Sequence, residues 1–548
     1  MRLYFRGAVL FVIIVIISNT CCARRFDNEA AVALKTMTLE QKIGQMIMTA
    51  CYGTEANKPA AELIQRYLPG GIIFFGYNFE RGKNLKNFIE DLQRVSLESS
   101  GIPLFISVDQ EGGRVRRIVD GVTQFPGNLA AGAGGDSDLV FRWARILGIE
   151  LRMLGVNMNL APVVDVNNNP DNPVINSRSF GSDPDIAADM GSAYIRGLQK
   201  SSCISVVKHF PGHGDTNRDS HLTLPVIRYD MERLRSVELY PFRKAIDSGV
   251  ETVMTAHISY PLILGTDDSA TISGYFLTDL LRKEMGFGGI VITDDMEMNA
   301  ISKNMDMGEA AVRSVLAGAD IVLISTYGEN VPAIINGLMA AVKEGRLPLE
   351  RVDDSVRRIL EMKFRYRVAL FNEGKITKGD VNFSDDDMRM LGEAAAVNEE
   401  LSRRALYYHG DEAILQSVPR KGIIYTDNEQ LRGLCARSGA LSSVKGLGAL
   451  KGDLDSGALA DAVPCIHLEK TDRAGLEQVG AWFAGRKTSP LVICTGNPFP
   501  VAHSGLYRNM LFSFSNTAES LRQVALCLEG RVQPQRRLNC DLGIDGSK

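Results

Sequence analysis

The 548-residue chain is long enough for two or three domains, each with its own core. Its 45% hydrophobic and 23% charged content excludes a disordered chain, and its 52 Gly and 20 Pro follow no collagen-like period. With 61 basic against 65 acidic residues the net charge is −4, so no cationic surplus exists to neutralise phosphates, and nucleic acid is not expected as a partner.

The chain opens on Arg2 and Arg6, runs through 10 unbroken apolar residues from Ala8 to Ile17, and continues in small residues to Ala23. This is the layout of a secretory signal peptide over residues 1–23, and the run is shorter than the ~20 apolar residues that a spanning helix needs. Export is expected, to the periplasm, the cell envelope or the medium. Cys21 and Cys22 stand at the cleavage point, where a thiol could accept a lipid; such an anchor is the only membrane attachment expected. The other seven Cys are far apart and form no CxxC pair, which leaves zinc-ribbon and redox-motif readings without support.

Apolar, β-branched runs then recur at 45–50, 70–76, 104–109, 156–165, 204–210, 251–260, 288–295 and 319–326. Near-continuous apolar runs mean strands buried on both faces, as in a parallel sheet. Amphipathic stretches such as 137–155 and 231–249 lie between them. Eight strands with helical crossovers over roughly 300 residues predict a (β/α)8 TIM-type barrel, here placed at 26–375. The structural alternative, a doubly wound open sheet, should carry a G-x-G-x-x-G turn after its first strand, and none is present. Charge-rich helices are expected at 347–365 and 385–408, with a linker helix region at 376–400. A smaller α/β sandwich domain is expected at 401–548, with strands at 420–428, 462–469, 490–496 and 510–515 and a last helix at 519–530.

The polar residues are placed informatively. Asp109 ends the third predicted strand, Asp165 the fourth, Lys208 and His209 the fifth, His257 the sixth and Asp294 the seventh. Barrel enzymes carry their chemistry at these C-terminal strand ends. The stretch KHFPGHGDTNRDSHLTLP, residues 208–225, is read as a loop because Pro211, Gly212 and Gly214 break regular structure. It holds three of the seven His in the chain, His209, His213 and His221. A metal site is not expected: His209 and His213 are spaced i, i+4, but Pro211 and Gly212 oppose a helix between them, and no HExxH occurs. Acid/base chemistry fits better. Asp219 lies two residues from His221, and a carboxylate bound to one ring nitrogen raises basicity at the other. Asp294, on rigid backbone across the mouth, suits attack at an anomeric carbon; the adjacent Asp295 competes for that role, and only one of the two should face the site.

At KHFPGHGDTNRDSH, VDQEGGRVRR (108–117), NLAPVVDV (159–166), NSRSFGSDP (176–184), MTAHISYP (254–261) and ITDDMEM (292–298), the chain resembles the β-N-acetylhexosaminidase branch of the family 3 glycoside hydrolases, from about residue 38 to 370. The likeness of 400–548 to that family's second domain rests mainly on TGNPF at 495–499 and the final helix. The resemblance implies Asp294 as nucleophile, His221 as general acid/base and Asp219 as its partner. It implies that Asp109, Arg117, Arg178, Lys208 and His209 hold a terminal GlcNAc, and that His213 and Asp215 shape the loop. The implied activity is exo-acting, retaining release of terminal GlcNAc from peptidoglycan fragments or chitooligosaccharides, with a carbohydrate as the only partner and no cofactor. The competing readings are a phosphorylase acting on the same bond, a β-glucosidase of the same family, and a non-catalytic cell-wall-binding lipoprotein.

Overall fold

The computed structural model describes residues 28–535 and 537, apart from 80–83, 221, 304, 327, 329, 367–370, 373–374, 377–382, 439–440, 442, 457, 460–461, 469–472, 485, 487–488, 503 and 505. The expected export segment with Cys21 and Cys22 lies outside the described residues, as do His221 and Cys540.

Eight strands follow in chain order: β1 Ile47–Ala50, β2 Gly71–Phe74, β3 Phe105–Val108, β4 Met158–Asn159, β5 Ile204–Phe210, β6 Thr252–Thr255, β7 Ile290–Ile292 and β8 Val322–Ile324. Each pairs in parallel with its sequence neighbour, β8 pairs β1, and a parallel bridge between Ile292 and Ile321 closes the ring. This is the expected (β/α)8 barrel. Its strands are buried throughout because helices cover the outside and side chains fill the inside. Met48, Phe105, Met158, Val206, Met254 and Ile292 join one apolar cluster from six different strands.

Two expectations fail locally. The fourth run was expected to be a strand to Asp165, but β4 stops at Asn159. Pro162 has no N–H to give a ladder, and buried amide side chains take over the pairing to β3. Asn157 accepts from Ile106 N at 2.9 Å, and Asn159 accepts from Gln110 N and donates to Gln110 O, each at 3.0 Å. Asp165 therefore reaches the mouth on irregular chain, held beside β5 by Val164 N donating to Lys208 O at 2.9 Å. The expected helix 231–249 is two helices, Met231–Ser236 and Leu239–Asp247, because Pro241 cannot continue the ladder of the first.

After a two-stranded antiparallel pair, β9 Phe371–Asn372 and β10 Lys375–Ile376, a second sheet forms. Its strands are β11 Tyr407–His409, β12 Gly422–Tyr425, β13 Ser443–Lys445, β14 Val463–Leu468, β15 Leu491–Cys494 and β16 Asn509–Phe512, in the order β11-β16-β15-β14-β12-β13. All neighbours pair in parallel except β11 with β16. β11 and β13 were not expected; they are edge strands of three residues each, too short to show an apolar run, and β11 takes Tyr407 and Tyr408 from the expected helix 385–408, which is two helices, Asp385–Gly392 and Ala394–Arg404. Apolar clusters cover both faces of this sheet. The six described cysteines are buried thiols.

Helices Asp385–Gly392 and Ala394–Arg404 lie against the barrel helix Ser137–Met153. Met390, Val397 and Leu401 share an apolar cluster with Trp143 and Leu147 of that helix. Arg145 pairs with Asp386 at 2.6 Å and Asp387 at 2.7 Å, and Arg404 pairs with Asp136 at 2.7 Å. From the other side, Leu129, Ala130 and Ala133 of the barrel helix Asn128–Gly134 enter the apolar cluster of the second sheet.

Candidate functional site

The C-terminal strand ends surround a cavity of about 400 Å³, within the ~300–1,000 Å³ range of small-ligand pockets. Asp109, Arg117, Arg178, Lys208, His209, Asp219 and Asp294 all line it. Seven of the eight expected site residues thus meet at one cavity; the eighth, His221, is outside the described residues, and its neighbours Asp219 and Ser220 are on the cavity wall.

The floor is a charge cluster. Lys208, buried at the end of β5, donates to Asp109 at 2.6 Å and to Glu111 at 2.8 Å. Arg178 grips Glu111 with two bonds, Nε to Oε2 at 3.0 Å and Nη2 to Oε1 at 2.8 Å. Burial opposes ionisation of Glu111, but Arg178 and Lys208 outweigh it and hold the carboxylate well below the usual range. Burial likewise pulls the Lys208 ammonium down, and Asp109 and Glu111 overcome that and raise it. Glu111, Lys208 and Arg178 are therefore charged at neutral pH. Glu111 was missed from sequence. The available signal was charge parity, since Lys208 and Arg178 need two carboxylates and Asp109 supplies one.

Glu111 reaches the floor because Gly112 and Gly113 turn the chain at φ +87° and +57°, where other residues are strained. Gln110 fixes the rest of that loop by accepting from Arg117 N at 2.8 Å and Ile118 N at 3.0 Å. This holds Arg117 at the cavity, where its Nε is buried without a protein acceptor among the described residues. A donor left this way suits a substrate oxygen. Glu111→Gln is expected to leave Arg178 without its carboxylate and Lys208 with Asp109 alone, and to lower stability by about 3–5 kcal/mol, with a raised KM, as read from urea unfolding and initial rates.

Asp165 organises the loop after β5. It is buried, and it accepts from His209 Nδ1 at 2.7 Å and from His213 N at 2.7 Å. With Nδ1–H spent on Asp165, His209 turns Nε2 toward Arg178, 3.4 Å away. Asp165 was singled out as a strand end, and it proves to be the hub beneath both histidines. His213 contacts Thr216 Oγ1 and Ser220 Oγ, each at 3.0 Å, and so ties down the segment that carries Asp219. Asp215 accepts from the Tyr229 hydroxyl. Both are tied into the loop by these bonds, and His213 also lines the cavity. Gly214 has no substitute, because a Cβ there would sit 1.7 Å from Val166 O.

Burial, and then the neighbouring His209, push His213 down to about 4, from an ordinary 6.5. Between those values an unfolded chain binds a proton that the folded protein refuses. Its contribution to stability is complete above pH 6.5 and is lost as pH falls toward 4. His213→Gln is expected to flatten the stability–pH curve in that window by about 2–3 kcal/mol, as measured by denaturant unfolding at several pH values.

The two carboxylates after β7 have separate environments. Asp295 is turned to the end of β8, accepting from Ser325 N at 3.1 Å and from the Ser325 hydroxyl. Burial pushes it up to about 6, with Asp294 and Glu297 adding to the rise. Asp294 accepts from Asp295 N at 2.8 Å. Burial raises it too, but His209, His257, that N–H and Lys208 prevail, and it lies below the usual carboxylate range. His257 braces this turn from β6, with Nε2 3.0 Å from Asp295 O and Nδ1 2.9 Å from Thr271 Oγ1. Asp294 and Asp295 both line the cavity, against the expectation that only one of them would, and their environments separate them: Asp294 is the one held below the usual carboxylate range.

The family model described as "Glycosyl hydrolase family 3 N terminal domain" matches residues 38–362. Over 376 residues the chain is 35% identical to Beta-hexosaminidase A of Pseudoalteromonas piscicida, which covers 61% of this chain and 62% of that protein, less than two thirds of its length. It is 34% identical over 340 residues to Beta-hexosaminidase LpqI of Mycobacterium tuberculosis, covering 59% of this chain and 82% of that one. A solved glycoside hydrolase family 3 beta-N-acetylglucosaminidase from Paenibacillus sp. str. FPU-7 superposes with a TM-score of 0.82 at 35% identity, covering 92% of this chain and 99% of that one.

Proposed function

The chain belongs to the family 3 glycosyl hydrolases, and from that premise we propose that it is an exo-acting, retaining β-N-acetylglucosaminidase. It removes terminal GlcNAc from peptidoglycan fragments or chitooligosaccharides after export directed by residues 1–23. The observation that carries this reading is Asp294, held ionised at the wall of a cavity also lined by Asp109, Lys208 and Arg178, with Glu111 bound to both cations. The names of the similar proteins support the choice of GlcNAc.

In this reading the terminal sugar sits with its hydroxyls on Asp109 and Lys208 and its other oxygens on Arg178, Arg117 and His209. Asp294 attacks the anomeric carbon and forms a glycosyl ester. The glycosidic C–O bond breaks as His221 gives its proton to the leaving oxygen. Water then attacks the same carbon and returns a proton to His221, and Asp294 departs as carboxylate. Asp219 orients the His221 ring. The barrel at 26–375 carries all of these groups, and the second domain at 401–548 buttresses it.

The test is release of nitrophenol from nitrophenyl β-GlcNAc and nitrophenyl β-glucose, with and without phosphate, by protein lacking residues 1–22. Release from the GlcNAc compound alone, with free sugar as product, supports the reading. A sugar phosphate product makes the protein a phosphorylase, and preference for glucose makes it a β-glucosidase.

A further inference from the structure

Three aromatic rings form a contiguous series that begins at the cavity. Phe75, just past β2, lines the cavity itself. Tyr77 stacks beside it, with ring centroids 5.7 Å apart and planes 23° apart. Tyr52, in the loop after β1, follows at 5.3 Å from Tyr77. Tyr52 and Tyr77 are 51% and 44% exposed. The platform is built in advance. Asn78, 2% exposed, accepts from Phe75 N at 2.9 Å and donates to Cys51 O at 2.9 Å and Gly53 O at 2.8 Å. One buried amide thereby staples the loop after β2 to the loop after β1.

We infer that Phe75, Tyr77 and Tyr52 form a binding strip for the leaving portion of a β-linked oligosaccharide, beyond the sugar held in the cavity. This rests on the proposed glycosidase activity. Aromatic faces are electron-rich, and a pyranose ring presents C–H bonds on its faces, so the two stack. The terminal sugar is closed in by the charged floor, and the rest of the glycan can extend only outward. The strip starts at a ring of the cavity wall and continues through two half-exposed rings, so it is continuous with the site. Burial, with Tyr52 and Cys51 nearby, pushes the Tyr77 hydroxyl up to about 12, so the strip is uncharged there at working pH. Rings held by a buried staple lose little freedom when a sugar docks, which favours binding.

The experiment compares kcat/KM for chitotriose with that for methyl β-GlcNAc, whose leaving group is too small to reach the outer rings. Tyr77→Ala and Tyr52→Ala are expected to lower the chitotriose-to-methyl ratio about 3–10-fold each, by loss of one ring contact. Tyr77→Phe, which keeps the face and loses the hydroxyl, is expected to hold the ratio. Ratios unchanged in both Ala variants, with both substrates still cleaved, overturn the strip alone. A ratio lost equally in Tyr77→Phe overturns stacking as its basis. Cleavage of neither substrate by the unmodified protein overturns the glycosidase reading, and the strip with it.

Discussion

Asp294→Asn is expected to lower kcat by on the order of 10⁴–10⁶ for every β-GlcNAc substrate, the scale seen when a covalent nucleophile is removed. The amide can still accept from Asp295 N, so the turn after β7 should survive and the variant should unfold at nearly the same denaturant concentration. Asp295→Asn is the comparison. That carboxylate is committed to Ser325 at the end of β8, so its loss should perturb the turn and cost much less turnover. A fluorinated GlcNAc that slows hydrolysis of the intermediate should label Asp294 and no other residue, as read by peptide mass spectrometry. Turnover of Asp294→Asn within a hundredfold of the unmodified protein would point to the substrate's own acetamido oxygen as nucleophile.

His221→Ala is the second large effect, and its signature is selectivity. General acid catalysis contributes about 10²–10⁴-fold when the leaving group needs a proton. Chitobiose should lose that much. Nitrophenyl β-GlcNAc, whose leaving group departs unaided, should form the glycosyl ester almost normally and then stall at hydrolysis. Asp219→Asn should show the same pattern more weakly, because it acts through the ring. Equal losses on activated and poor leaving groups would remove His221 from the acid role.

The barrel was legible because each of its strands is buried on both faces, and unbroken apolar runs record that directly. The same burial made the polar residues that follow the runs stand out, which is how Asp109, Lys208, His209 and Asp294 were found. Glu111 was not found because its role depends on Arg178, 67 residues away, and no local pattern encodes that distance. Asp165 was placed on a strand because NLAPVVDV reads as one; the amide side chains of Asn157 and Asn159 do the pairing instead. The first ring of the aromatic strip, Phe75, was hidden in the run GGIIFFG. The strand stops at Phe74, and what turns Phe75 and Tyr77 toward Tyr52 is Asn78, reaching 27 residues back to Cys51.

The helices at 385–404 have an energetic consequence. They are the apolar cover of one barrel helix, while the neighbouring barrel helix is cover for the second sheet. Each sheet thus completes its core with residues borrowed across the chain. Loosening either one bares apolar surface on the other, so the two are expected to melt together in a single calorimetric transition. A protease nick or a truncation between 385 and 405 would yield two sticky fragments in place of two stable halves.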